Sequence, residues 1–188
     1  MANKIKYGLR NVYYAKVTAT DETTGALTYA TPVRIPGAVD MALDAAGDSD
    51  PFYADDVVYW QGAANNGYSG NLEIALIPDA FRTDILGEIL NANGVYYEAA
   101  DAQVAEFALL FEFQGDESGT RHCLYRCSAA RPAVNGHTQE ATITPQTETL
   151  ALTAMARIDD RAVKARCPRT AALYNTWFNA VPAFNPSN

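Results

Sequence analysis

Between residues 40 and 56 the chain carries six aspartates, Asp40, Asp44, Asp48, Asp50, Asp55 and Asp56, and no Lys or Arg. Carboxylates in that density are hard oxygen donors suited to calcium, but the EF-hand spacing, with its central Gly and closing Glu, is absent. The alternative is an acidic segment that is solvated or forms an interface. Two cysteines, Cys123 and Cys127, stand four apart rather than at the C-x-x-C spacing of zinc knuckles. On a strand that spacing puts both on one face, as small buried thiols. His122 adjoins Cys123, yet strand neighbours point to opposite faces, so a Cys-His dyad has poor geometry. Gly67-Tyr-Ser-Gly70 lacks the fifth position of a nucleophile elbow and precedes a strand instead of following one. Asp55-Asp56 and Asp159-Asp160 are sequence neighbours whose side chains diverge, a weak arrangement for acid/base work. With neither a Walker A loop nor a dinucleotide fingerprint, the residues point away from catalysis: no enzyme, no cofactor and no metal are expected.

Composition sets the frame for these residues. A chain of 188 residues, 48% apolar and 19% charged, is expected to fold as one domain with its own core. Its longest apolar run, Phe107-Ala-Leu-Leu-Phe111, is far shorter than a membrane span, and no apolar leader follows Met1, so maturation in a cytoplasm is expected. Three cysteines do not make a disulfide framework. The net charge is −8, which opposes sequence-independent binding of nucleic acid. The charge is segregated: residues 35–117 carry sixteen acids against Arg82 alone, while both flanking blocks are net basic. Such asymmetry can complement itself between copies.

The elements read mainly as strands. Period-2 alternation marks 68–76, with Leu72, Ile74 and Leu76 on one face and Ser69, Asn71 and Glu73 on the other. It also marks 107–113, joined through Gly115–Gly119 to a strand over 121–129, and 147–157, where Leu150 and Leu152 oppose Thr149 and Thr153. Residues 11–20, 27–35 and 57–60 have strand composition. One helix is predicted from Pro78-Asp79 to Asn93-Gly94, with Phe81, Ile85, Leu86, Ile89 and Leu90 as its apolar stripe. A short C-terminal helix, capped by Thr170, should present Leu173, Tyr174, Trp177 and Phe178. The fold class predicted is mainly β: a two-sheet sandwich with one flanking helix, a long acidic loop over about 37–56 and a C-terminal arm over about 158–188.

Taken in order, several stretches resemble one family. Tyr7-Gly-Leu-Arg-Asn-Val-Tyr-Tyr-Ala-Lys16, Arg34-Ile-Pro-Gly-Ala-Val39, Phe52-Tyr-Ala-Asp-Asp-Val57, Asn66-Gly-Tyr-Ser-Gly70, Leu72-Glu-Ile-Ala-Leu-Ile-Pro78, Phe81-Arg-Thr-Asp-Ile-Leu86 and Glu106-Phe-Ala-Leu-Leu-Phe-Glu-Phe113 are similar to the major tail tube proteins of long-tailed, non-contractile bacteriophages. Arg126-Cys-Ser-Ala-Ala-Arg-Pro132 and Pro145-Gln-Thr-Glu-Thr-Leu150 extend the likeness over nearly the whole chain. The resemblance implies a β-sandwich subunit of six-membered rings that stack into a tube, with one sheet of each subunit joining a continuous barrel around the bore. It further implies a loop and terminal arms holding successive rings, the tape measure protein and then DNA in the channel, terminator and tip proteins at its ends, and a place in the virion tail with no membrane.

Within that expectation the acidic segment, Asp40, Asp44, Asp48, Asp50, Asp55 and Asp56, is a candidate to meet Arg161, Lys164, Arg166 and Arg169 of another copy. Ser69, Asn71, Glu73, Thr149 and Thr153 are candidates for the lumen face, where a passing genome should meet repulsion rather than adhesion. A second reading is a carbohydrate- or receptor-binding module at a tail tip, using Tyr53, Tyr59, Trp60 and Tyr68.

Overall fold

The structure, a computed structural model, describes residues 5–47, 49–115, 119–138 and 144–184. It is mainly β, with a large antiparallel sheet and one short helix. In chain order the strands are β1 (Leu9–Thr20), β2 (Leu27–Tyr29), β3 (Val33–Ile35), β4 (Ala38–Ala45), the hairpin β5 (Pro51–Ala54) and β6 (Val57–Gln61), and β7 (Tyr68–Ile74). Helix α1 (Asp79–Phe81) continues as a π-helical turn over Arg82–Leu86. A second small hairpin, β8 (Ile89–Leu90) and β9 (Tyr96–Tyr97), precedes β10 (Phe107–Phe113), β11 (Arg121–Ala129), β12 (Glu148–Met155) and β13 (Lys164–Cys167). The large sheet runs β2-β1-β10-β11-β12-β7-β4, with β3 added to β1 and β13 to β11. After β3 pairs with β1, the chain turns at Pro36-Gly37 and β4 pairs with β7 at the other end of the path. One short segment thus ties the two ends of the sheet, and β1 and β4 lie against each other.

This curl creates two apolar clusters. The larger is enclosed by Val12 and Tyr14 of β1, Leu72 and Ile74 of β7, Phe107, Leu109 and Phe111 of β10, and Leu150 and Leu152 of β12. Phe81 brings α1 into it, meeting Tyr14 and Phe107 edge to face with centroids at 5.0 and 5.5 Å. The smaller lies on the opposite face of β10 and β11, where Ala108, Leu110, Cys123 and Tyr125 are covered by Ala162, Cys167 and Trp177 of the C-terminal segment. Strand β10 is therefore buried on both faces, and this is why 107–111 reads as an unbroken apolar run rather than an alternation.

Local backbone chemistry moves several elements from their expected places. Residues 38–45, predicted as part of a long loop, form β4: Met41 and Leu43 pack on the larger core while Asp40, Ala42 and Asp44 face out. Residues 51–54, from the same predicted loop, form half of the first hairpin. The predicted 27–35 strand is two strands: the Ala30 amide still donates to Lys16 O, but the chain breaks at Thr31-Pro32, where proline has no amide to give the ladder. The helix stops at Gly87, whose φ of +79° gives it a left-handed cap. Asn93-Gly94 instead turns β8 into β9, leaving Ile89 and Leu90 exposed. Leu76 lies past the end of β7 and is exposed. The predicted C-terminal helix, with Thr170 as its cap, is reduced to one 3-10 turn at Tyr174–Thr176. Cys123 and Cys127 fall on opposite faces, because a bulge between the pairs Phe107–Cys127 and Leu109–Leu124 inserts one residue into β11 and inverts its alternation.

Candidate functional site

The five residues predicted to line a lumen share one exposed face. In antiparallel register Thr149 pairs with Glu73, Ala151 with Asn71 and Thr153 with Ser69. On the other side of β7, Asp40 pairs with Glu73, Ala42 with Asn71 and Asp44 with Ser69. Directly opposed residues project from the same side of a sheet, so β4, β7 and β12 present three rows: Asp40–Glu73–Thr149, Ala42–Asn71–Ala151 and Asp44–Ser69–Thr153. Ser128 of β11 extends the last row. Two aspartates predicted as loop contacts, Asp40 and Asp44, thus belong to this face. Its nine positions hold three carboxylates, three hydroxyls, one amide and two alanines, with no base. Thr147 donates to Glu73 Oε1 at 2.5 Å. The nearest guanidinium in the register, Arg126 opposite Met155, is held by both oxygens of Glu106 at 2.7 and 2.8 Å. No described strand pairs with the outer edge of β4, whose backbone donors and acceptors are open to a partner strand.

The remaining predicted contacts are exposed. Asp50 lies ahead of β5, and Asp55 and Asp56 form the two-residue tip between β5 and β6, with φ of +51° and +61°. Such a tip matches the twist of a hairpin, and aspartate tolerates it. Asp48 lies outside the described residues. Arg161, Lys164, Arg166 and Arg169 are exposed along β13 and its flanks. Among the described residues, none of these candidates joins an ion pair. Those pairs are made by other residues, among them Arg10 and Arg121 with Glu112, Arg82 with Glu88 and Glu148, and Arg157 with Asp159 and Asp160.

Two further surfaces complete the site, the first carrying the aromatics Tyr53, Tyr59 and Trp60 singled out in the sequence. The hairpin β5–β6 presents Phe52, Tyr53, Val57, Val58, Tyr59 and Trp60 to solvent, and Tyr59 is 73% exposed. Phe52 and Trp60 oppose each other across the hairpin. The second surface is a cleft of about 180 Å³ at an open end of the larger core. Met41, Leu43 and Tyr68 form one wall, and Phe111, Phe113, His122 and Leu124 the other. His122 stacks on Phe111 at 5.1 Å. Lys6 sits 4.8 Å from the Phe113 ring centre, and Lys164 donates to Tyr68 Oη at 2.8 Å. Arg166 pairs with His122 on the same side of the sheet. The cleft lining has lysines and no carboxylate. The period of two in Asp40-Met-Ala-Leu-Asp44 was the available signal for the cleft's β4 wall; nothing in the sequence brings Lys6 to Phe113.

The residues with conventional chemistry are dispersed. Cys123 and Cys127 are buried, and burial raises both thiol pKa values, that of Cys127 to about 12. A thiol so held is a poor nucleophile or metal ligand. Ser69 lies between Asp44 and Thr153 in the sheet register. In Gly67-Tyr-Ser-Gly70 the glycines instead serve close packing, since a Cβ at Gly67 would lie 1.8 Å from Ala154 O. Among the described residues no three His, Cys, Asp or Glu side chains converge as a metal site, and no helix is long and apolar enough to cross a membrane. Tyr68 is separated from Tyr53, Tyr59 and Trp60, none of which lines its cleft. Compared with models of known protein families and with curated proteins, the chain matches none.

Proposed function

We propose that the chain is a structural subunit that assembles into six-membered rings stacked head to tail as the tube of a phage tail, a conduit for genome delivery without catalytic activity. The observation that carries this reading is the base-free polar face of β4, β7 and β12 beside the open edge of β4. A strand edge of a neighbouring copy extends such a sheet by ordinary backbone pairing, and repetition closes it into a barrel. Side chains that repel phosphate and offer it no cation then line a bore through which DNA moves without adhesion. In this reading the curled sheet acts as two layers packed face to face, one turned to the channel and one outward. The tape measure protein fills the channel before DNA, and terminator and tip proteins close its ends.

The acidic residues of the hairpin and the bases around β13 support the same reading, because among the described residues neither set has an ion-pair partner. A directional contact between unlike surfaces propagates without closing, as a filament requires. The exposed Tyr53, Tyr59 and Trp60 favour a second reading, a glycan- or receptor-binding module at a tail tip. Electron microscopy of the purified protein across a concentration series separates the two. Hollow tubes of uniform width are expected; persistent monomers that bind a glycan array would overturn the tube and support the tip module.

A further inference from the structure

We infer that the β5–β6 hairpin of one copy docks into the cleft between Tyr68 and Phe113 of a second copy. This rests on the self-assembly reading and adds to it a donor, an acceptor and a polarity. Within the copy that carries it, the hairpin has no shelter: Phe52, Tyr53, Val58 and Trp60 are all at least half exposed. Exposing that much apolar surface on one small element costs free energy that a partner would recover. Residues 49–61 contain Asp50, Asp55 and Asp56 and no Lys or Arg.

The acceptor complements it on both counts. Its walls are aromatic and aliphatic, and its rim carries Lys6 and Lys164, with Arg166 beside His122. The two lysines already lie against aromatic rings, 4.8 Å from that of Phe113 and 4.6 Å from that of Tyr68. An entering indole or phenyl ring joins those stacks while the aspartates meet the ammonium groups, which pairs hydrophobic burial with charge complementarity. Donor and acceptor are different surfaces, so each copy uses both, and the contact repeats head to tail.

The test uses the full chain. A photo-crosslinking side chain placed at Trp60 is irradiated in a mixture of isotopically light and heavy protein, and the products are mapped by mass spectrometry. Mixed-isotope links from residue 60 to Met41, Leu43 or Phe113 are expected. Links confined to one copy, links to another surface such as β8–β9, or no inter-copy links would overturn the docking. In parallel, Asp55→Lys with Asp56→Lys should weaken self-association about tenfold or more, as should Lys6→Glu with Lys164→Glu, and mixing the two variants should restore it. Failure of the mixture to recover overturns the pairing, provided both variants melt cooperatively like the parent. If the parent forms tubes but the crosslinks go elsewhere, this contact is wrong and the tube stands. Crosslinks to the cleft without tubes leave the contact and remove the tube.

Discussion

Glu112 is the single buried charged residue among those described, 4% exposed on an otherwise apolar strand. Its register partners are both arginines, Arg10 on β1 and Arg121 on β11. Arg10 Nε donates at 3.0 Å, Arg121 Nε at 2.8 Å and Asn11 Nδ2 at 2.7 Å. Asn11 is available because it occupies a bulge in β1 with φ of +50°. Arg121 also stacks on Tyr174 at 3.9 Å and on Phe178 at 4.8 Å and donates to Tyr174 O, so this carboxylate anchors the C-terminal segment through one guanidinium. Burial alone would raise the Glu112 pKa. The hydrogen bonds from Arg121 and Asn11 and the two positive charges outweigh it and hold the pKa below its ordinary value of 4.5. A carboxylate held low stabilises the fold fully above its unfolded pKa, and that stability drains as pH falls through the folded value. Glu112→Gln should cost about 3 kcal/mol near neutral pH, because it strands two arginines, one of them largely buried. It should also flatten the acid limb: denaturant unfolding from pH 7 to 2 should show the parent losing stability below about pH 4.5, and the variant losing less there. Parallel curves would mean that other carboxylates set the acid limit.

Glycine at position 70 decides how an element sits in the sheet. A Cβ there would lie 2.0 Å from Ala42 O and 3.0 Å from Leu43 Cα, backbone atoms of β4 that have no rotamer to change. Gly70→Ala should therefore lift β4 from β7, exposing amides of 40–44 to hydrogen exchange while β10 and β11 keep their protection; uniform protection would show that β4 yields without detaching. The same element shows where sequence reading succeeds and stops. Strands β7, β10, β11 and β12 were legible because each buries at least one whole face and so has either a period of two or a solid apolar run. β4 carries that period too, but at the sheet edge its inner residues Met41 and Leu43 are only partly buried, and the dense aspartates made the segment read as loop. Bulges have no local signature at all. The register shift in β11 is set by its partner strand, and it alone sends Cys123 and Cys127 to opposite faces. The polar face was half legible for the same reason: Ser69, Asn71 and Glu73 follow from alternation, whereas Asp40 and Asp44 join them only once β4 pairs with β7.

At the scale of the whole molecule, the acids divide into two populations with different work to do. Glu106, Glu112, Glu148 and Asp159 are bound to arginines and hold elements together. Asp40, Asp44 and Glu73 face solvent on one wall, outside every ion pair of the described chain. A net charge of −8 spread evenly would repel DNA from every side; in the proposed tube, the three carboxylates of this face would act where phosphates pass closest. Replacing Asp40 and Asp44 by Lys changes the charge of that wall by four per subunit, without touching a buried group. In assembled protein the double variant should retain short duplex DNA in low salt, with affinity falling steeply as salt rises, because each phosphate neutralised releases counterions. The parent should retain none. Nuclease digestion then locates the wall: DNA held inside a tube is protected, and DNA bound to an outward face is cut. Retained but nuclease-sensitive DNA would put this face on the exterior and move the bore to another face of the sheet. No retention by tubes of the double variant would mean that the wall, wherever it lies, does not meet the genome.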